Sequence, residues 1–181
     1  MHRAVFVDRD GTLIEEKEYL SRPEQVAILP GVPKALARLQ RAGYKLFIVT
    51  NQAGIGRGYF TEEDMHAVHK HLVGELSKDG VVFEKIYFAP EAPNQPPIGR
   101  KPSPKFLFEA RDHFSLDLQA SYIVGDKLLD LECGWNAGLK KSLLVRTGYG
   151  AQWERNSPDK LAEAIVVDDM PAAVDWILQA S

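Results

Sequence analysis

Short runs of β-branched and apolar residues alternate along this chain with segments of helical period, and no hairpin signal joins one run to the next. Residues 4–7, 46–49, 86–89, 122–124, 142–145 and 165–167 read as strands. Between them, residues 32–42 place Ala35, Leu36 and Leu39 on one helical face, with Gly43 as a stop. Thr61 is a good N-cap followed by acidic Glu62, Glu63 and Asp64, after which Met65, Val68, Leu72 and Leu76 form an inward stripe. Further helices are expected over residues 104–113 and about 128–137, and after Pro171. Strands linked through helices need crossover connections, so the expected class is α/β: a Rossmann-like parallel sheet with helices on both faces. Such sheets bind ligands beyond the carboxyl ends of their strands, which makes the polar residues just after each strand the ones to inspect.

A chain of 181 residues can bury one substantial core, and one domain over residues 1–181 is expected. A formal net charge of -3 gives no basic field for holding a nucleic-acid backbone, which disfavours nucleic acid as a partner and favours a small molecule. The single cysteine, Cys133, excludes an internal disulfide and a multi-cysteine zinc site. The apolar run at the N-terminus is too short for a secretory signal, and no stretch approaches the roughly 18–20 apolar residues of a membrane span. The expectation is a cytoplasmic monomer with no membrane partner.

The strand ends carry a consistent chemistry. Asp8-Arg9-Asp10-Gly11-Thr12 follows the first strand, and Thr50-Asn51-Gln52-Ala53-Gly54-Ile55-Gly56-Arg57-Gly58 follows the second. Arg100-Lys101-Pro102 comes after a Pro-rich loop beyond the third; Gly125-Asp126-Lys127 follows the fourth, with Asp130 one helical turn on. Asp8 and Asp126 can converge from two strands on a hard cation such as Mg²⁺, which prefers oxygen ligands. Asp8 can attack phosphorus as a carboxylate nucleophile, and Asp10, two residues along an extended strand end, points to the same side. Asp10 is placed to protonate a leaving oxygen and then deprotonate water. Thr50 can donate to a phosphoryl oxygen, and Lys101 offers a fixed positive charge.

Taken singly, each feature has a plainer reading. An Asp after a strand is commonly a cap, Thr50-Asn51 and Gly125-Asp126 are good turn dipeptides, and Lys101 before a proline suits a solvated loop. Asp130 fits better as a residue that orients a neighbour than as a direct ligand. Joint occurrence, in this order and each at a strand end, favours phosphoryl transfer. His66, His69 and His71 share one helix but cannot all face the same way, so no metal or catalytic role is assigned to them. Trp135, Trp153 and Trp176 read as packing residues.

These motifs resemble the four motifs of the haloacid dehalogenase superfamily of phosphatases. Arg9 inside the first motif, the Gly54–Gly58 loop and Gly125-Asp126-Lys127 resemble most closely the heptose 1,7-bisphosphate phosphatases and their histidinol-phosphate phosphatase relatives. The resemblance covers residues 5–148. It implies Asp8 as nucleophile and metal ligand, Asp10 as acid/base with its backbone carbonyl on the metal, Asp126 as a further metal ligand, and Mg²⁺ as cofactor. Thr50 and Lys101 would steady the phosphoryl group. Arg9, Glu16, Lys17, Glu18, Tyr19, Asn51, Gln52, Ala53, Arg57, Arg100 and Lys127 would face the substrate, with Arg100 meeting a second phosphate through its bidentate fork.

One departure stands out. Relatives usually carry a zinc loop of three cysteines and a histidine before the Arg-Lys-Pro motif, whereas residues 89–99 here contain neither residue type. No structural zinc is expected, and the prolines of this stretch are expected to stiffen it instead. Residues 13–30 and 90–99 are too short to form the separate cap domain that many superfamily members insert. Gly43–Gly58 also looks like the 3′-phosphatase domain of polynucleotide kinase-phosphatases, which leaves nucleic-acid ends as an alternative substrate. A non-catalytic phosphate-binding domain is a third reading, disfavoured because pure binding does not need Asp10.

Overall fold

The computed structural model describes residues 1–180 and builds them around a six-stranded parallel sheet. Its strands are β1 (Arg3–Val7), β2 (Tyr44–Asn51), β3 (Lys85–Ala89), β4 (Tyr122–Gly125), β5 (Lys141–Val145) and β6 (Ile165–Val167), in the order β3-β2-β1-β4-β5-β6. The chain winds outward from β1 to β3, returns to lay β4 beside β1, then winds outward the other way. Strand order therefore reverses between β1 and β4, and a doubly wound sheet opens a ligand crevice at that point. Val7 lies opposite both Ile48 and Val124, and the Asp8 N–H donates to the Val124 carbonyl at 3.0 Å. The segments that follow β1 and β4 thus leave the sheet side by side.

Alternation along β1 shows how both faces are covered. Val5 and Val7 pack with α1 (Val32–Arg41), α3 (Glu62–Ser77) and α7 (Met170–Gln179), through Leu36, Leu39, Val68, Leu72 and Val174. Ala4 and Phe6 face the other way, against Phe106 and Ala110 of α4 (Lys105–Phe114) and Cys133 of α5 (Leu128–Ala137). Residues buried from two sides have no polar face to keep, which is why β1 reads as an unbroken apolar run. Trp135 and Trp153 pack on a smaller core of Leu128, Leu131, Leu144 and Leu161, and Trp176 packs on the first core.

Each expected strand and helix is present. The Thr61 hydroxyl accepts the Asp64 N–H at 3.1 Å while the Asp64 carboxylate accepts the Thr61 N–H at 2.8 Å, so α3 begins in a reciprocal cap. Two short helices were not foreseen, α2 (Ala53–Gly56) and α6 (Gly150–Asn156). Glycines at positions 54, 56 and 150 weaken their propensity, and neither has a side-chain N-cap, so no local signal announces them. No helix among the described residues is long and apolar enough to cross a membrane.

Candidate active site

Lys101 lies at the centre of the crevice, 3% exposed. Its ammonium donates to Asp8 Oδ1 at 2.8 Å and to the Val49 carbonyl at 2.6 Å, and pairs with Asp130 Oδ1 at 2.5 Å. All three ammonium protons are therefore used. The loop carrying Lys101 is docked on the end of β2 by a reciprocal pair: the Lys101 N–H donates to Asn51 Oδ1 at 2.9 Å, and Asn51 Nδ2 donates to the Lys101 carbonyl at 3.2 Å. Burial alone would drive the proton off Lys101, but the charges of Asp130 and Asp8 outweigh it and hold the group above the ordinary lysine range.

Asp126 is fully buried beside this group. Its Oδ2 accepts the Tyr149 N–H at 2.9 Å, and its Oδ1 has no hydrogen-bond partner. Two backbones press against the same carboxylate. A Cβ at Gly11 (φ +78°) or at Gly148 (φ +56°) would fall 2.2 Å from Asp126 Oδ2, so both glycines are required by space as well as by dihedral angle. The Thr147 hydroxyl donates to the Gly11 carbonyl at 2.6 Å and ties the loop after β5 to the loop after β1.

Oxygens of Asp8, Asp126 and Asp130 lie within 4.8 Å of one another. Burial, then the charges of Asp8 and Asp130, push the Asp126 carboxyl above its ordinary range, and the Lys127 charge opposes them only in part. An orphaned buried carboxylate oxygen in an oxygen-only donor set fits a hard dication. Asp130 is less available, because Oδ1 holds Lys101 and Oδ2 accepts the Lys127 N–H at 3.0 Å.

Asp10 is held by its neighbours. Arg9 Nε and Nη2 donate to its two carboxylate oxygens at 2.9 and 3.1 Å, and Arg9 Nη2 also reaches Gln52 Oε1 at 3.1 Å. Gln52 Nε2 donates to the Thr50 hydroxyl at 2.7 Å and approaches Asp10 Oδ2 at 3.4 Å. Thr50 is thereby linked through Gln52 to Asp10. Arg9 is only 1% exposed; its Nε and Nη2 are engaged inside the protein, and its Nη1 is buried without a hydrogen-bond partner.

A cavity of about 310 Å³ opens over Arg9, Asp10 and Gln52, while the buried Asp8, Thr50, Lys101 and Asp126 are not part of its lining. Of the residues expected to face substrate, Arg9, Glu16, Glu18, Tyr19, Asn51, Gln52, Ala53, Arg100 and Lys127 line it. Lys127 pairs with Glu16 at 3.3 Å and lies 4.8 Å from the centroid of the Tyr149 ring. Two of the expected residues stand outside the wall. Lys17 turns away to donate to the Gln25 carbonyl at 2.8 Å, and exposed Arg57 lies 6.0 Å from the Tyr19 ring. Glu18 and Tyr19 have φ of 37° and 30°, a strained backbone at the cavity rim. Sequence reasoning missed Tyr149, whose N–H fixes Asp126. Its position in the Arg146–Gly150 stretch just after a strand was the available signal.

Comparison with known proteins places this arrangement. A family model described as HAD-hydrolase-like matches residues 98–173. The D-glycero-beta-D-manno-heptose-1,7-bisphosphate 7-phosphatase of Haemophilus ducreyi is 39% identical over 176 residues, covering 93% of this chain and 97% of the relative. That of Escherichia coli (strain K12) is 35% identical over 184 residues, covering 93% and 96%. A crystal structure of the D,D-heptose 1,7-bisphosphate phosphatase from B. bronchiseptica, complexed with magnesium and phosphate, superposes with a TM-score of 0.89 at 29% identity over 99% of both chains. The chain belongs to the haloacid dehalogenase-like hydrolases, in the family of the heptose-1,7-bisphosphate 7-phosphatases, and is a phosphatase.

Proposed function

We propose that this phosphatase hydrolyses the 7-phosphate of D-glycero-D-manno-heptose 1,7-bisphosphate with Mg²⁺, through an aspartyl-phosphate on Asp8. The observation that carries the reading is the Asp8–Lys101–Asp130 cluster beside an unpartnered Asp126 oxygen. Asp8, Asp126 and the Asp10 carbonyl would hold the magnesium, which when bound offsets charge on the phosphoryl oxygens. An Asp8 carboxylate oxygen forms the new bond to phosphorus as the ester P–O bond breaks, and Asp10 gives its proton to the leaving oxygen. Asp10 then takes a proton from water, whose oxygen attacks phosphorus and frees both phosphate and Asp8. Lys101, through its charge, and Thr50, through its hydroxyl, steady the phosphoryl group throughout. Arg9 and Gln52 keep Asp10 on the nucleophile's side of the cavity.

Arg100 supports a bisphosphate. It lines the cavity with a buried Nη1 that has no hydrogen-bond partner, a fork suited to a second phosphate. A cavity of about 310 Å³ is also at the small end of the range for small-molecule sites. The remaining parts of the proposal are a single phosphatase domain without a cap, acting as a monomer in the cytoplasm; the one cysteine, buried and free, suits a reducing compartment.

Purified protein assayed with Mg²⁺ against heptose 1,7-bisphosphate, histidinol phosphate and a 3′-phosphorylated oligonucleotide tests this. The bisphosphate should have the highest kcat/KM by at least about tenfold, equivalent to about 1.4 kcal/mol of transition-state binding. A higher value for either rival would reject the substrate assignment.

A further inference from the structure

Between β3 and Lys101 the chain crosses a proline-rich loop with no cysteine or histidine and a single carboxylate, Glu91. Glu91 is 4% exposed, and one of its oxygens, Oε1, accepts three consecutive backbone N–H groups: Ile98 at 2.8 Å, Gly99 at 3.0 Å and Arg100 at 2.8 Å. Burial pushes its carboxyl up, but the backbone N–H groups of Gly99, Glu91 itself, Arg100 and Ile98 outweigh that effect and hold it below its ordinary range, so it remains an anion. Three charge-assisted bonds converging on one atom wrap residues 98–100 around the carboxylate. The next N–H in the chain, that of Lys101, is fixed by Asn51. The backbone of Arg100 is thus clamped on one side by Glu91 and on the other by the end of β2.

The charge matters as well as the hydrogen bonds. Burial lowers the pKa of Arg100, the Glu91 charge opposes that, and nearby Arg57 adds to it. Glu91 is therefore the anchor of the Arg100 backbone, and its charge opposes the effect of burial on the Arg100 guanidinium. Lys101, by contrast, is held by Asp8, Asp130, Val49 and Asn51, whereas Glu91 Oε1 holds Ile98, Gly99 and Arg100.

We propose that Glu91 is a positioning residue that sets Arg100 against the non-reacting phosphate, and so fixes the preference of this enzyme for a bisphosphate over a monophosphate. The inference rests on the reading of Arg100 given above. The two oxygens of Glu91 differ in role: Oε1 gathers the loop, while Oε2 is buried without a partner.

Steady-state kinetics of Glu91→Ala, Glu91→Gln, Arg100→Ala and the Glu91→Ala/Arg100→Ala double variant test this, with heptose 1,7-bisphosphate and p-nitrophenyl phosphate as paired substrates. Glu91→Ala should raise KM for the bisphosphate about tenfold with kcat changed by less than about threefold, and leave both constants for p-nitrophenyl phosphate unaltered. Glu91→Gln keeps an acceptor but no charge, so its KM should fall between wild type and Glu91→Ala; it also carries the test if the alanine variant fails to fold. The double variant should be no worse than Arg100→Ala, because the two residues act as one unit. The proposal is overturned if Arg100→Ala raises KM for the bisphosphate while neither Glu91 variant does, or if the Glu91 variants impair both substrates equally. If Arg100→Ala leaves KM for the bisphosphate unchanged, the second-phosphate reading of Arg100 fails first, and this inference with it.

Discussion

Asp8 and Lys101 are each buried beside the other's charge, at 8% and 3% side-chain exposure, and that mutual dependence sets what a substitution there must do. Lys101→Met removes the cation and leaves Asp8, Asp126 and Asp130 facing one another. Breaking a buried pair from one side costs about 3–5 kcal/mol, so the unfolding midpoint in urea should drop by that equivalent. The turnover rate should fall roughly 10²–10³-fold, as when a preorganised electrostatic donor is lost. His69 gives a pH signature of a different kind. Burial first, then Arg9 and His66, lower its pKa from 6.5 to about 3. The unfolded chain therefore binds a proton near pH 6.5 that the folded chain refuses until about pH 3. Stability from this residue is flat at high pH and falls as pH drops through 6.5, with no further loss below about 3. Between pH 7 and 5 the loss should be about 2 kcal/mol, and His69→Leu should abolish it in urea titrations at the two pH values.

At the scale of elements, α3 illustrates a part that is separable from the chemistry. Thr61→Ala removes the hydroxyl that accepts the Asp64 N–H and half of the reciprocal cap. It should lower global stability by about 1 kcal/mol while kcat and KM stay at wild-type values, measured by denaturant unfolding beside steady-state assays. The strands and long helices were legible because their signals are local: apolar runs for β1 to β6, a 3.6-residue stripe for α3, caps at Thr61 and Gly43. The strand-end rule also located Asp8, Asp10, Thr50, Asn51 and Asp126, since a parallel sheet delivers those positions to one crevice regardless of details. What was hidden depends on contacts between distant segments. Nothing in the proline-rich loop signals that Glu91 would gather N–H groups seven to nine residues further on. The prolines were expected to be the stiffener, and the carboxylate shares that work. Lys17 and Arg57 were expected by resemblance to face the substrate; Lys17 bonds the Gln25 carbonyl, and Arg57 lies at the rim over Tyr19.

At the scale of the whole molecule, the crevice crowds three buried carboxylates at the carboxyl ends of β1 and β4, and the fold should respond to the cation that relieves their repulsion. Mg²⁺ at about 100 times its dissociation constant should raise unfolding free energy by about 2.7 kcal/mol, visible as a higher Tm than in chelator. Asp126→Asn should erase most of that gain and leave the chelator-treated protein no less stable than wild type, since it removes a buried like-charge contact while Asn Oδ1 can still accept the Tyr149 N–H. A Tm indifferent to Mg²⁺ would separate the carboxylate cluster from metal binding.

The central claim is that the phosphoryl group passes through a covalent bond to Asp8. Rapid acid quench of the enzyme with Mg²⁺ and heptose 1,7-bisphosphate, followed by mass spectrometry of the peptide containing residues 4–16, measures that bond directly. A single phosphoryl adduct on Asp8, formed before phosphate release and missing in Asp8→Asn, is the predicted result. An adduct on another residue, or near-normal turnover by Asp8→Asn, would contradict it.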